Sequence, residues 1–140
     1  MQDRKKRILI IDDDPDQLYL GREILTREGY EVLTHQSPFG VAGLIRASEP
    51  DLLLLDVNMP MLPGDDLAAF LKADDRTRAV PIVLYSSTDE LQLRNAVVRH
   101  RLEGYIRKGD LAELKRKVGY FLQDHRAEDA LFGRSLYAVE

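Results

Sequence analysis

The feature that most constrains this chain is a set of short apolar runs with no polar alternation inside them. Ile8–Ile11, Leu52–Leu55 and Ile82–Tyr85 are uninterrupted, Tyr30–Leu33 is broken by Glu31, and Tyr105–Ile106 is the shortest. A strand with one wetted face alternates apolar and polar residues, whereas a strand covered on both faces does not. These runs therefore predict a parallel sheet with helices on both sides. Glu31 marks the second strand as an edge.

Between the runs lie segments of helical period. Asp14 before Pro15 reads as an N-cap followed by proline at the first helical position. That helix runs to about Glu28, with Leu18, Gly21, Ile24 and Leu25 inward and Gly29 ending it. Pro38 opens a second helix, where Val41, Leu44 and Ile45 share a face, and Leu67, Phe70 and Leu71 repeat the spacing in a third. A fourth covers Asp89–His100, with Leu93, Ala96 and Val97 as its stripe. In the fifth, Asp110 and Glu113 form an Asp-x-x-Glu variant of the capping box, and Leu111, Leu114, Val118, Phe121 and Leu122 hold one face. Five strands alternating with five helices predict the α/β class, with a doubly wound five-stranded parallel sheet. Right-handed crossovers and the common order 2-1-3-4-5 put the ligand crevice at the carboxyl ends of strands 1 and 3.

The chain has 140 residues, enough for one domain with a real core and little more. We expect that domain over residues 1–125, followed by a tail, 126–140, without a separate output domain. An apolar fraction of 44% and a net charge of −4 favour neither nucleic acid nor an anionic membrane. The absence of cysteine excludes disulfides, thiolate metal sites and a cysteine nucleophile. Arg4-Lys5-Lys6-Arg7 precedes only Ile8–Ile11, short of the ~7 residues of a signal-peptide core. No apolar run approaches the ~18 residues of a membrane span. The expectation is a soluble, cytoplasmic protein.

Chemistry-bearing residues fall where the crevice is predicted. Strand 1 ends in Asp12-Asp13, strand 3 in Asp56, strand 4 in Ser86 and strand 5 in Lys108. Three carboxylates meeting there repel one another, and a hard divalent cation such as Mg²⁺ resolves the conflict. An aspartate beside such a metal is a nucleophile toward phosphorus, and the Lys108 ammonium and Ser86 hydroxyl are suitable donors to the transferred group. Each residue has a plainer reading. Asp14 caps a helix, Asp56 could be an acidic turn residue before Pro60, Thr88 and Asp89 could cap the fourth helix, and Lys108 could be a solvated lysine. The signal is the conjunction of four strand ends that each supply what one mechanism needs.

At this point the chain resembles the receiver domains of two-component response regulators, which have a flavodoxin-like fold. The motifs are Ile8-Leu9-Ile10-Ile11-Asp12-Asp13-Asp14, Leu52–Leu55 followed by Asp56-Val57-Asn58-Met59-Pro60 with Gly64, Pro81 to Ser86, and Gly104-Tyr105-Ile106-Arg107-Lys108. The resemblance covers residues 7–123. It implies that Asp56 is the phosphoacceptor, with Asp12, Asp13, Asp56 and the Asn58 carbonyl holding Mg²⁺ or Mn²⁺. It implies further that Ser86 and Tyr105 form the switch and that Lys108 binds the phosphoryl group. The implied partners are a histidine kinase or phosphotransfer protein, an unidentified protein target and a second copy of the chain. The module would not be an enzyme in the ordinary sense, although self-catalysed phosphotransfer and slow autodephosphorylation are expected. Two departures count: Gly109 stands where the family has proline, and Ser87 is larger than the small residue usual after the switch hydroxyl.

Two other readings are weaker. A haloacid-dehalogenase-type phosphohydrolase needs Asp-x-Asp after its first strand, and here Asp56 lies on the third and is followed by Val57 and Asn58. A pseudo-receiver adaptor that works without phosphate would be favoured by loss of Asp56, the acidic pair or the lysine, and all are present. On the family's pattern, phosphorylation would draw Ser86 toward the phosphoryl oxygens and let Tyr105 turn inward. The tail carries Leu131, Phe132, Leu136, Tyr137 and Val139, too apolar to stay solvated. We expect it to dock on the fifth helix or on a neighbouring subunit.

Overall fold

A computed structural model describes residues 4–122. The elements alternate without exception: β1 (Arg7–Ile11), α1 (Pro15–Arg27), β2 (Glu31–His35), α2 (Val41–Ser48), β3 (Leu52–Leu55), α3 (Gly64–Ala73), β4 (Ile82–Ser86), α4 (Glu90–His100), β5 (Gly104–Arg107) and α5 (Leu111–Phe121). All strand pairs are parallel, and the order is β2-β1-β3-β4-β5. The strand carrying Glu31 is an edge, as its broken pattern predicts.

The uninterrupted runs are buried on both faces because successive side chains point into different layers. Leu9, Ile11, Leu53, Leu55, Ile82 and Leu84 pack with residues of α2, α3 and α4. Ile8, Ile10, Leu52, Leu54 and Val83 pack with α1 and α5 on the other side. In α1, Leu18, Gly21 and Leu25 are buried and Ile24 partly so, which matches the predicted stripe.

Three local expectations need correction. The second helix starts at Val41, because the segment from Ser37 forms a turn in which the Ser37 hydroxyl accepts from the Phe39 N–H at 3.0 Å. Phe70 is 66% exposed: the inward arc of α3 is centred on Gly64, Leu67, Ala68 and Leu71, which leaves Phe70 on its flank. Only half of the capping box forms. The Asp110 side chain accepts from the Glu113 N–H at 3.1 Å, but the Glu113 carboxylate turns to Arg116 at 2.7 Å and Lys117 at 3.3 Å. Two basic groups one turn on outcompete one neutral N–H for a carboxylate. The tail expectation falls on residues outside those described.

Candidate functional site

The sheet ladder positions the site residues before any side chain acts. The Asp12 N–H donates to the His35 carbonyl at 3.2 Å, the Asp56 N–H to Ile11 at 3.0 Å and the Lys108 N–H to Ser86 at 3.0 Å. Each bond is one more rung beyond the strand ends. Residues far apart in sequence are thereby held on rigid backbone at one edge, the carboxyl edge.

Asp12, Asp13 and Asp56 each bring a carboxylate oxygen to within 4.8 Å of the others. Asp12 is 1% exposed and Asp56 5%. The Lys108 ammonium lies 2.5 Å from Asp12 Oδ2 and 3.8 Å from Asp56 Oδ2, so one cation reaches two of the three clustered acidic groups. Burial pushes the Asp12 carboxyl above its ordinary range, against the downward pull of its hydrogen bonds from Lys108 and the Asp14 N–H. All the clustered donors are hard oxygens, and their mutual repulsion is uncompensated by Lys108 alone. That donor set fits Mg²⁺ or Mn²⁺ and not a soft metal.

Asn58 joins the acidic cluster to β4. Its N–H donates to Asp56 Oδ1 at 3.2 Å, and its side-chain amide donates to Ser86 Oγ at 3.2 Å and Thr88 Oγ1 at 2.7 Å. The Ser86 hydroxyl also bonds Thr88 Oγ1 at 3.0 Å. Thr88 is therefore part of the site and not a helix cap. The cap of α4 is Asp89 alone, whose carboxylate accepts from the Leu91 N–H at 3.1 Å. Residue type alone could not separate two adjacent capping residues; the cue was that a helix needs only one. Asp14 is the cap of α1, accepting from the Asp16 N–H at 2.9 Å.

The loop after Asp56 is tied back by a 3.2 Å bond from the Gly64 N–H to the Val57 carbonyl. A Cβ on Gly64 would lie 1.9 Å from the Asp56 carbonyl oxygen, so only glycine permits this approach. Beyond Lys108, Gly109 has φ 111°, a value closed to the proline usual in the family. There is no cis peptide bond among the described residues.

Two aromatic residues flank the cluster on opposite layers. Tyr85 is buried, with the Lys108 ammonium 5.5 Å from its ring centre, and burial together with the charge of Asp12 pushes its hydroxyl up to about 12. It stays a neutral phenol that lends Lys108 its ring face. Tyr105 is 3% exposed, and its hydroxyl donates to Glu90 Oε2 at 2.6 Å. The ring is thus buried in this structure. Glu90 gives the hydroxyl a partner there, and the buried Lys117 ammonium lies 4.9 Å from the ring centre.

The profile of the response regulator receiver domain family matches residues 8–119. The chain belongs to that family. It is 33% identical over 84 residues to Protein PilH of Pseudomonas aeruginosa, a match spanning 60% of this chain and 69% of that protein. It is 30% identical over 78 residues to the polar-differentiation response regulator DivK of Brucella anthropi, spanning 56% of this chain and 63% of that one. A 131-residue match at 28% to the sensor histidine kinase TmoS of Ectopseudomonas mendocina spans 93% of this chain but only 13% of the kinase. Among solved structures, a response regulator receiver domain protein from Methanospirillum hungatei superposes with a TM-score of 0.75 at 26% identity, covering 86% of this chain and 96% of that one. The receiver domain of a sensor histidine kinase from Pseudomonas aeruginosa, solved with a magnesium ion coordinated in its active site cleft, matches the fold at TM-score 0.75 and 21% identity, covering 86% of this chain and 99% of that one. The receiver family and the flavodoxin-like strand order are those expected from the motifs. Among the described residues no helix is long and apolar enough to cross a membrane.

Proposed function

We propose that this receiver is a phosphorylation-controlled switch whose acceptor is Asp56. The observation that carries the reading is the meeting of three carboxylates within 4.8 Å beside a lysine that reaches two of them. Asp12, Asp13, Asp56 and the Asn58 carbonyl would hold Mg²⁺ or Mn²⁺, as the related kinase receiver holds magnesium. When bound, the ion neutralises charge on the carboxylates and on the phosphoryl oxygens.

The chain's own residues do the rest. The donor is a phosphohistidine on a histidine kinase or phosphotransfer protein. An Asp56 carboxylate oxygen attacks phosphorus, a P–O bond forms, and the P–N bond breaks with its electron pair staying on the imidazole, which takes a proton from solvent. The Lys108 ammonium swings from Asp12 toward the new phosphoryl oxygens, and the Ser86 hydroxyl leaves Thr88 to donate to them. Return to the resting state is slow attack of water on phosphorus, which restores the carboxylate and releases inorganic phosphate. The signal passes by protein contact: residues 1–125 act as the receiver, and the setting is the cytoplasm.

Ser86 and Tyr105 form the switch in this reading. Thr88 and the amino end of α4, whose Glu90 holds the Tyr105 hydroxyl, would move with them. Incubation with Mg²⁺ and a small phosphodonor should add one phosphoryl mass, and Asp56→Asn should abolish the addition. An unchanged mass in the folded wild-type protein would overturn the proposal.

A further inference from the structure

The register of the sheet puts Tyr85 in the same row as the acidic cluster. Ile11 pairs with Leu55 and Leu55 with Leu84, so the next row is Asp12, Asp56 and Tyr85. Side chains along a strand alternate between faces. Leu55 and Leu84 lie in the layer of α2, α3 and α4, and Tyr85 therefore turns to the layer of α1 and α5, where it packs with Ile10 and Ile106. Ile106 is the partner of Tyr85 on β5, and Lys108 stands two residues further on, back on the same face.

The Lys108 ammonium meets Asp12 at 2.5 Å, Asp56 at 3.8 Å and the centre of the Tyr85 ring at 5.5 Å. The first two are carboxylates that the proposed function assigns to the metal and the phosphoryl group. Only the ring is claimed by neither. The negative face of an aromatic ring attracts an ammonium, and more strongly where both are withdrawn from water. Here the Lys108 side chain is 13% exposed and Tyr85 4%. The loop beyond gives the lysine less support. The Lys108 N–H is fixed to the Ser86 carbonyl, but a Cβ on Gly109 would meet nothing within 4 Å, so no neighbour packs on the next residue. Packing alone does not call for an aromatic ring, since Val83 and Ile106 fill the same layer with aliphatic groups.

We propose that Tyr85 is a positioning residue for phosphoryl transfer, its ring face holding the Lys108 ammonium within reach of the acceptor while Asp12 and Asp56 are engaged elsewhere. The inference rests on Asp56 being that acceptor. Its own content is that the lysine is restrained by a side chain of β4 and not by the loop after β5. Lys108 then turns from Asp12 to a phosphoryl oxygen without first being released into bulk water. The phenol hydroxyl has no part in this.

Phosphorylation of the full-length protein by acetyl phosphate in Mg²⁺, followed as gain of mass, reads the effect as a rate. Tyr85→Phe should keep the wild-type rate, and Tyr85→Leu should lose about 10-fold, the scale of a desolvated contact between a cation and a ring. Phenylalanine analogues of increasing ring fluorination at position 85 should lower the rate in steps, because fluorine drains the ring face and changes its shape little. That series decides the matter even if Tyr85→Leu fails to fold. A second readout needs no phosphoryl transfer. The Lys108 ε-methylene protons should be shifted upfield by the ring in the wild type and in Tyr85→Phe, in chelator and in Mg²⁺ alike. Equal rates across the fluorinated series would make Tyr85 a packing residue and overturn the proposal. So would a Tyr85→Phe rate as low as that of Tyr85→Leu, which would give the work to the hydroxyl, or unshifted Lys108 protons in the wild type. A wild-type chain that takes up no phosphoryl group would overturn the acceptor reading, and the role of Tyr85 with it; the Lys108 shift, still present, tells that failure from the others.

Discussion

The two edges of the sheet use carboxylates in opposite ways. At the amino edge each acidic group has its own partners. Asp51 accepts from the Arg7 N–H at 2.7 Å and from Arg4 at 3.4 Å, and Glu103 accepts from the Ile82 N–H at 2.6 Å and pairs with Lys72 at 3.4 Å. These groups close off strand starts that would otherwise leave amides bare. At the carboxyl edge three carboxyl groups crowd together, and one ammonium reaches only two of them. Folding alone gains nothing from that crowding, because like charges in a buried place raise the cost of ionisation. The contrast teaches that the second edge is arranged for something it binds.

The largest expected difference is in metal affinity. Asp13→Asn should weaken Mg²⁺ binding by at least about 10-fold, the scale on which changes near a metal are felt. Asp14→Asn and Asp51→Asn should leave it unchanged, because one caps α1 and the other lies at the opposite edge. Isothermal titration of the three variants checks this, and equal losses for Asp13 and Asp14 would undo the assignment of the acidic pair.

Stability measured in chelator should show the reverse order. Asp51→Ala leaves the Arg7 N–H without its acceptor and should cost ~1–3 kcal/mol. Asp14→Ala removes an N-cap and should cost about 1 kcal/mol. Asp13→Asn relieves repulsion and should cost nothing, or gain up to about 1 kcal/mol. Urea unfolding curves decide it: a loss at Asp13 as large as that at Asp51 would mean that the two edges do not differ.

That contrast also explains what was legible in the sequence. The strands were, since four apolar residues in a row have few other uses, and so were the strand-end residues Asp12, Asp56, Ser86 and Lys108, whose positions follow from the runs. What could not be read depended on partners distant along the chain. Glu90 reaches Tyr105 across 15 positions and Asp12 meets Lys108 across 96, and no local pattern announces either pair. Phe70 misled because i, i+3, i+4 spacing fixes a face only to within its width, and Ala68 and Leu71 set the true centre. Thr88 was read as a cap because Asn58, which recruits it to the site, comes from another loop.

The smallest effect is also the most specific, because it reverses sign between a crowded carboxyl group and a paired one. Burial raises Asp12 above its ordinary value of 3.8, so the carboxyl is protonated more readily in the folded, metal-free chain than in the unfolded one. Its contribution to stability is therefore most favourable below 3.8 and declines as pH rises through the folded value. Glu113 behaves oppositely. Partial burial pushes it up, but the hydrogen bonds and charges of Arg116 and Lys117 outweigh that and bring it below its ordinary value of 4.5. Its contribution is full above 4.5 and is lost as pH falls through the lower folded value. In chelator, Asp12→Asn should thus become progressively more stable than the wild type as pH rises above 4, and then hold a constant lead. Glu113→Gln should be less stable than the wild type above 4.5 and converge with it on acidification. Added Mg²⁺ should erase the Asp12 slope, since a bound dication favours the ionised carboxylate, and leave the Glu113 slope untouched. Parallel stability–pH curves for wild type and Asp12→Asn without metal would show that crowding at the carboxyl edge exacts no cost. The contrast between the two edges would then rest on affinity alone.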